Sequence, residues 1–331
     1  MENVSSTSCP AISVITATFN RSRAVGCAVG AVRAQTRTDW EHWVIGDGCT
    51  DDTGEVVAGF GDPRIRFHNL PQNIGEQSGP NNEGLKRARG RYVAMLNHDD
   101  LWLPDHLELA VEALEVSGAD LVFPLALQVE QEGNYLLHNW APQRRYGPEL
   151  FIPASSWVFR RELFERIGGW RPVQAIRNLP SQDWLFRALS HGARLELLPL
   201  ITAVLLPSST RANCYLGNPG AEQEMWLERL RGNPSIRSEL TLLSLRPPPP
   251  APLATGEAKR LSFLKRVARA RIHYGWKMRR AAALRIARWT GGHPTEWEVR
   301  LGGGTPTTMI NALRQTRGLG ALPDDKRLKR P

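Results

Sequence analysis

Residues 91–114 read RYVAMLNHDDLWLPDHLELAVEAL, and their chemistry is concentrated in Asn97-His98-Asp99-Asp100. An apolar run, Tyr92 to Leu96, leads straight into two adjacent carboxylates, and apolar residues resume at Leu101. Neighbouring like charges repel, and burying them without a partner is costly. A cation relieves both costs. Mg²⁺ or Mn²⁺ takes oxygen ligands, commonly one or two carboxylates plus phosphate oxygens. Asp99 and Asp100 are therefore candidate metal ligands, set against the plainer reading of an acidic turn and helix cap. In an extended strand end Asn97 and Asp99 share a face and His98 points away, so His98 reads as structural.

Such a site needs elements that bring distant polar groups together. Residues 11–19 (AISVITATF) form a β-branched strand ending at Asn20, and a helix is expected over 23–35. Residues 40–48 (WEHWVIGDG) are a second strand ending in a polar loop, and 53–60 can be helical. A third strand is expected at 64–70 and a helix at 82–90, before the strand that ends at Asn97. Pro104 reads as the first position of the helix that follows. Residues 119–137 suggest a strand and its hairpin return, 155–170 a strand and short helix, and 193–206 a strand or two. Helices are expected at 179–192, with Ser181 as N-cap and Gly192 as stop, and at about 220–231. Strands alternating with helices imply an α/β layer structure with a mostly parallel sheet. In such sheets ligands bind beyond the carboxyl ends of the strands. Three polar clusters fall there: Phe19-Asn20, Gly46 to Asp52, and Asn97 to Asp100.

The 331 residues are 41% apolar and 23% charged, which argues for a folded chain. No apolar run approaches the ~20 residues that span a bilayer. The N-terminus shows no secretory signal. Cys9, Cys27, Cys49 and Cys214 have no paired spacing, so a reduced, cytoplasmic setting is expected. The net charge of +9 is concentrated: residues 259–288 hold eleven Lys or Arg and no Asp or Glu, leaving −2 for the remainder. RPPPPAP (246–252) cannot continue a helix or a central strand. The expected organisation is a domain over 1–245, a Pro-rich linker over 246–256 and a basic helical region over 257–331.

The segments SVITATFNR, VIGDGCTDDT, NIGEQSGPNNEGLKRARGRYVAMLNHDD, LWLPDHLE and SQDWLFRALSHG stand in the order and approximate spacing of the family 2 glycosyltransferases. Over about residues 10–230 the chain resembles that family. The resemblance implies a GT-A fold, a Rossmann-like and mostly parallel sheet flanked by helices. It implies a nucleotide-diphosphate-sugar donor, a hydroxyl acceptor, a Mn²⁺ or Mg²⁺ cofactor and inversion at the anomeric carbon. Thr18, Phe19 and Asn20 match the turn that borders the nucleotide base, although Phe19 also suits a core aromatic. Asp47 matches an acid that contacts the base, a carboxylate suiting the imide or amino edge of uracil or guanine; a turn-forming Asp before Gly48 is the alternative. Asp51 and Asp52 read as a solvated helix N-terminus. Asp183 matches the base that deprotonates the acceptor, against simple charge complementarity at a helix N-terminus. Gln182 is expected on the acceptor side; Trp184 is a candidate for the same side, with core packing the stronger reading for it as for Trp157 and Trp170.

Three positions depart from the family pattern. Gly46 and Asn97 stand where relatives place carboxylates, and Asn81 stands where many carry an arginine that can contact the donor; Asn81 and Asn97 remain candidate donor contacts. These losses leave open a weakened or silent nucleotide-sugar-binding module. The C-terminal stretch 259–289 reads as one or two basic amphipathic helices. They suit an anionic membrane surface, placing the protein peripherally on the inner face, or pack on the main domain. Nucleic acid is disfavoured, since no RNA-binding module accompanies the charge. LGGGTPTT (301–308) lacks the Gly-Lys-Ser/Thr of a phosphate loop.

Overall fold

The computed structural model describes residues 9–130, 133–141, 143–176, 179–246, 311, 314–315 and 318–322. The expected linker from residue 247 and the basic helices at 259–289 lie outside the described residues.

The chain begins with three βα units: β1 (Ile12–Thr18), α1 (Ser22–Arg33), β2 (Trp40–Gly46), α2 (Thr53–Ala58), β3 (Ile65–Asn69) and α3 (Ser78–Arg87). β4 (Tyr92–Met95), β5 (Leu101–Trp102) and α4 (His106–Ser117) carry the acidic turn. β6 (Leu121–Val129) and β7 (Tyr135–His138) form the expected hairpin, followed by β8 (Val158–Arg160) and α5 (Arg161–Ile167). α6 (Pro180–Ser190), β9 (Leu195–Leu205), α7 (Ala221–Gly232) and α8 (Ile236–Ser244) complete the described core.

Among the described residues these strands form one nine-stranded sheet in the order β3-β2-β1-β4-β8-β6-β9-β5, with β7 beside β6. The β3-β2-β1-β4 half is parallel. Beyond β4 the sheet is mixed: β8 runs antiparallel to β4 and β6, β9 is parallel to β6, and β5 is antiparallel to β9. Alternate residues of β1 and β4 enter opposite cores, as a strand covered on both faces requires. Val14, Tyr92 and Ala94 pack with Val25, Val29, Leu107 and Leu114. Ile15, Val93 and Met95 pack with Leu85, Phe159, Trp184 and Trp226.

Element boundaries differ from the sequence expectation where a side chain or a proline decides them. α3 begins at Ser78 rather than 82, because the Glu76 carboxylate accepts both the Ser78 N–H (2.8 Å) and its hydroxyl. Pro104 precedes α4: a turn closed by His106 N–H to Leu103 O (3.1 Å) separates them, and His106 is the first helical residue. α6 starts at Pro180 with Leu179 as its cap, so Ser181 lies inside the helix. No helix among the described residues is long and apolar enough to cross a membrane.

Candidate active site

The carboxyl ends of β1, β2 and β4 open into a cavity of about 430 Å³. Thr18, Phe19, Asp47, Asn97, Asp99 and Asp100, six of the residues singled out in the sequence, line it together. Asn20, Asn81, Gln182, Asp183 and Trp184 are not in its lining.

Asp47 is 5% exposed and directly follows β2, with its N–H on the Thr18 carbonyl (2.8 Å). Its Oδ1 accepts the Ile74 N–H (2.9 Å) and its Oδ2 the Gly75 N–H (2.8 Å) and the Asn73 amide (3.2 Å). Burial raises its pKa, while the two backbone N–H groups and the nearby Arg314 charge pull it back. Gly48, with φ +71°, makes this possible: a Cβ there would lie 2.5 Å from the Asn73 nitrogen. The departure at Gly46 has a local cause. A Cβ at Gly46 would lie 2.4 Å from Asn69 Oδ1, and Asn69 spends its amide on Cys49, accepting from its N–H (2.8 Å) and donating to its carbonyl (2.8 Å). Asn69 occupies the space that an acid at 46 would need.

The acidic turn is held by the C-terminal end of β9. Asp100 Oδ1 accepts the Leu206 N–H (2.8 Å) and Asp99 Oδ2 accepts the Ser208 N–H (2.8 Å). Asp100 Oδ2 also accepts from the Ser155 hydroxyl and from the Asn97 amide (3.1 Å). Burial and the neighbouring Asp99 charge push the Asp100 pKa up to about 7, against the opposing pull of these hydrogen bonds. Asn97 thus donates where a carboxylate would repel. His98 lines the cavity while its Nδ1 lies 3.2 Å from the Ala17 carbonyl, so its structural bond and a place in the wall coexist.

Phe19 is half-buried, with its ring centroid 6.5 Å from that of Tyr215, another wall residue. Asn20, at φ +46°, clips β1 to the β2 loop by accepting the Thr50 N–H (2.8 Å), so it shapes the site from outside. Asp51 accepts the Thr53 N–H and hydroxyl at the start of α2 and the Ser22 N–H at the start of α1, the helix-terminus role expected of it. Asn81 is buried on α3.

The second half of the site departs further from expectation. Trp184 is fully buried, 5.7 Å from Trp157 and 5.0 Å from Phe159 by ring centroids, and donates Nε1–H to Gly168 O (3.0 Å). It is a core residue and presents no ring to a sugar. Gln182 is also no wall residue: its amide braces Ile152, accepting its N–H (3.3 Å) and donating to its carbonyl (2.9 Å). Asp183, 3% exposed in the first turn of α6, is clamped by Arg171 (Nε 3.0 Å, and Nη2) and by Arg187 (Nε 3.1 Å). The Arg171 side chain is 48% exposed and that of Arg187 only 16%, so Arg171 forms the solvent-side jaw. Leu179, Pro180 and Ser181, just before Asp183, do line the cavity.

Sequence reading missed Glu76, Gln77, Tyr215 and Arg314 in the wall. Glu76 lay inside a quoted motif and could have been found there; Tyr215 and Arg314 follow no pattern that places them at a strand end.

Residues 13–168, from β1 past α5, match the profile described as glycosyl transferase family 2. The chain is 31% identical over 193 residues to the succinoglycan biosynthesis protein ExoO of Rhizobium meliloti, covering 57% of this chain and 55% of that protein. It is 31% identical over 128 residues to the Escherichia coli UDP-Glc:α-D-GlcNAc-diphosphoundecaprenol β-1,3-glucosyltransferase WfgD, covering 39% and 47%. The chain therefore spans about half the length of these relatives. The structure of Staphylococcus aureus TarS 1–349 with UDP-GlcNAc superposes over 70% of both chains with a TM-score of 0.52 at 16% identity, a likeness of fold. Over residues 13–168 the chain carries a glycosyl transferase family 2 domain, and its fold is the GT-A fold.

Proposed function

We propose that the protein transfers a sugar from a nucleoside diphosphate donor to an acceptor hydroxyl, with inversion at the anomeric carbon. The observation that carries this reading is the convergence of Asp47, Asp99 and Asp100 on one cavity at the carboxyl ends of β1, β2 and β4. Phe19 and Tyr215 supply an aromatic wall for a base, and Asp47 an acceptor for a base N–H. Asn97, Asp99 and Asp100 suit a hard divalent cation, offering side-chain oxygens at a cavity where burial already resists negative charge. The described residues hold no cluster of three or more His, Cys, Asp or Glu, so further ligands would come from the donor diphosphate and water. Asp99 and Asp100 are the ligands in this reading, and the protein already orients Asp100 through three hydrogen bonds. Mn²⁺ or Mg²⁺ bound there would supply positive charge against the departing diphosphate.

Asp183 is the base in this reading. It takes the acceptor proton as the acceptor oxygen attacks the anomeric carbon, and the C–O bond to the diphosphate breaks with its electron pair leaving on the diphosphate. One displacement inverts the centre. The Arg171 jaw must swing aside first, because Asp183 lies behind the cavity wall. The names of the relatives support an acceptor in polysaccharide, glycolipid or glycoconjugate synthesis. The basic stretch 259–289 would hold the protein against an anionic inner membrane face. A silent binding module has little left to support it, since the losses at 46 and 97 each have a local structural cause.

Thermal melting with UDP- and GDP-sugars, with and without Mn²⁺, tests the reading. At ~100 times the dissociation constant, a bound donor adds about 2.7 kcal/mol, a rise of several degrees. Absence of any rise with every nucleotide sugar would sink it.

A further inference from the structure

The donor cavity has a wall that no family motif supplies. Arg314 and Leu319, close to the C-terminus, line it. Arg314 donates from Nη1 to the Gly75 carbonyl and from Nε to the Gly320 carbonyl (2.7 Å). Leu322 is 5% exposed and closes over the same glycine. A Cβ at Gly75 would lie 2.5 Å from Leu322 Cδ2 and 2.9 Å from Arg314 Nη1, so this seat exists only because residue 75 has no side chain. On the other rim, Gly318 approaches Leu216, which adjoins the wall residue Tyr215; a Cβ at Gly318 would sit 3.2 Å from Leu216 Cγ. The Leu322 N–H donates to Asn311 Oδ1 (2.8 Å), tying the ends of the segment together. The described residues of this segment, 314–315 and 318–322, form a strap beside the cavity.

Its position relative to Asp47 gives the strap a chemical role. Gly75 holds the Asp47 carboxylate through its N–H and the Arg314 guanidinium through its carbonyl, so one residue fixes an acceptor and a cationic donor side by side. The arginine that many relatives carry on the helix near residue 80 is replaced here by Asn81, which is buried outside the cavity lining.

We propose that Arg314 is a donor-nucleotide ligand delivered by the C-terminal strap, and that it reads the base together with Asp47. Asp47 accepts a ring N–H and Arg314 donates to the adjacent ring carbonyl. Uracil and guanine carry that N–H and C=O pair. Adenine and cytosine present a bare ring nitrogen at the same place, which would meet the carboxylate lone pair to lone pair. The inference rests on the nucleoside diphosphate reading above.

The test titrates full-length protein and its Arg314→Ala and Arg314→Lys variants with UDP, GDP and CDP by calorimetry. The nucleoside of the preferred diphosphate is measured by competition, and thermal melting of each variant checks the fold. The expected result is binding of UDP or GDP in preference to CDP. Arg314→Ala should lose affinity about tenfold or more for the diphosphate and its nucleoside alike, as loss of a charged hydrogen bond implies, with partial recovery in Arg314→Lys. Leu322→Asp, which unseats the strap without altering the guanidinium or Asp47, should weaken binding in the same direction. Unchanged affinity in Arg314→Ala overturns the inference and leaves the donor reading intact. So does a loss seen with the diphosphate and absent with the nucleoside, which would move the contact away from the base. Failure of the wild-type protein to bind any of the diphosphates overturns the donor reading itself.

Discussion

Asp100 in the donor half and Asp183 in the acceptor half are both buried to 3% exposure, yet they are neutralised in opposite ways. Asp183 has two guanidinium groups on it. Asp100 has three neutral donors, a hydroxyl, an amide and a backbone N–H, and beside it the charge of Asp99. In the donor half Asp100 is therefore held by neutral donors alone, while the Arg211 charge acts on the neighbouring Asp99. In the acceptor half the protein has already supplied the balance, and the proposed mechanism requires its removal before Asp183 takes a proton. In the proposed function a cation and a diphosphate would complete the first site, and the second would wait for the Arg171 side chain to move.

Substitutions that isolate each half test this contrast. The largest effect is expected from Asp99→Asn, which removes one of the two proposed cation ligands: transfer should fall about 10³-fold, the scale of losing a preorganised electrostatic contact. Melting without metal should change little. Turnover within a few-fold of wild type would show that the donor half needs no carboxylate at 99. Asp183→Asn comes next, with transfer down about 10²-fold or more for a lost general base and nucleotide affinity held within about twofold. A parallel drop in nucleotide affinity would show that the two halves are one site and break the contrast.

The donor half was the legible one, for a physical reason. In parallel strands the polar residues that end each strand share one edge, so three local patterns around Asn20, Asp47 and Asp99 sufficed to predict a convergence. What holds those carboxylates, and the whole of the acceptor half, depends on contacts that no local period encodes. Ser155 reaches Asp100 because β8 runs antiparallel to β4, and the N–H groups of Leu206 and Ser208 arrive because β9 lies beside β6 and β5. The jaw on Asp183 shows both cases. Arg187 is four residues along the same helix and could be read from spacing, whereas Arg171 comes from a loop whose course the sequence leaves open. Trp184 lies in the core, the stronger of its two readings, as its apolar bulk favours.

A third, smaller effect concerns pH. The Asp100 pKa lies near 7 in the fold, above the ~3.9 of an unfolded aspartate. Between these values the folded state holds a proton that the unfolded state has lost, so stability falls as pH rises from about 4 to about 7 and levels off above. His42 and His106, buried and depressed to about 3, act in the opposite sense and penalise acid below about 6.5. Comparing wild type with Asp100→Asn in metal-free buffer separates the two contributions. The wild-type melting temperature should drop by about 5 °C more than that of the variant between pH 5 and pH 8. Equal slopes would mean that Asp100 is charged throughout and that its neutral donors suffice to hold it so.

The smallest expected effect bears most directly on why this chain departs from its family. Asn97→Asp restores a carboxylate but replaces the 3.1 Å hydrogen bond to Asp100 with a like charge. In the absence of metal that exchange should cost on the order of 1 kcal/mol for the lost hydrogen bond, about 2–4 °C in melting, with repulsion adding to it. The same carboxylate would strengthen the site for a cation, so Mn²⁺ should raise the variant's melting temperature by more than it raises that of wild type. If the variant is destabilised and Mn²⁺ gives no larger rise, residue 97 faces Asp100 alone and lies out of reach of the ion. If it is not destabilised at all, the Asn97–Asp100 bond contributes little, and the case for Asp100 as a buried, neutrally supported acid weakens with it. The asparagine would be doing at 97 what Asn69 does beside Gly46: using an amide where a relative uses an acid, and leaving the remaining carboxylates to the ligand.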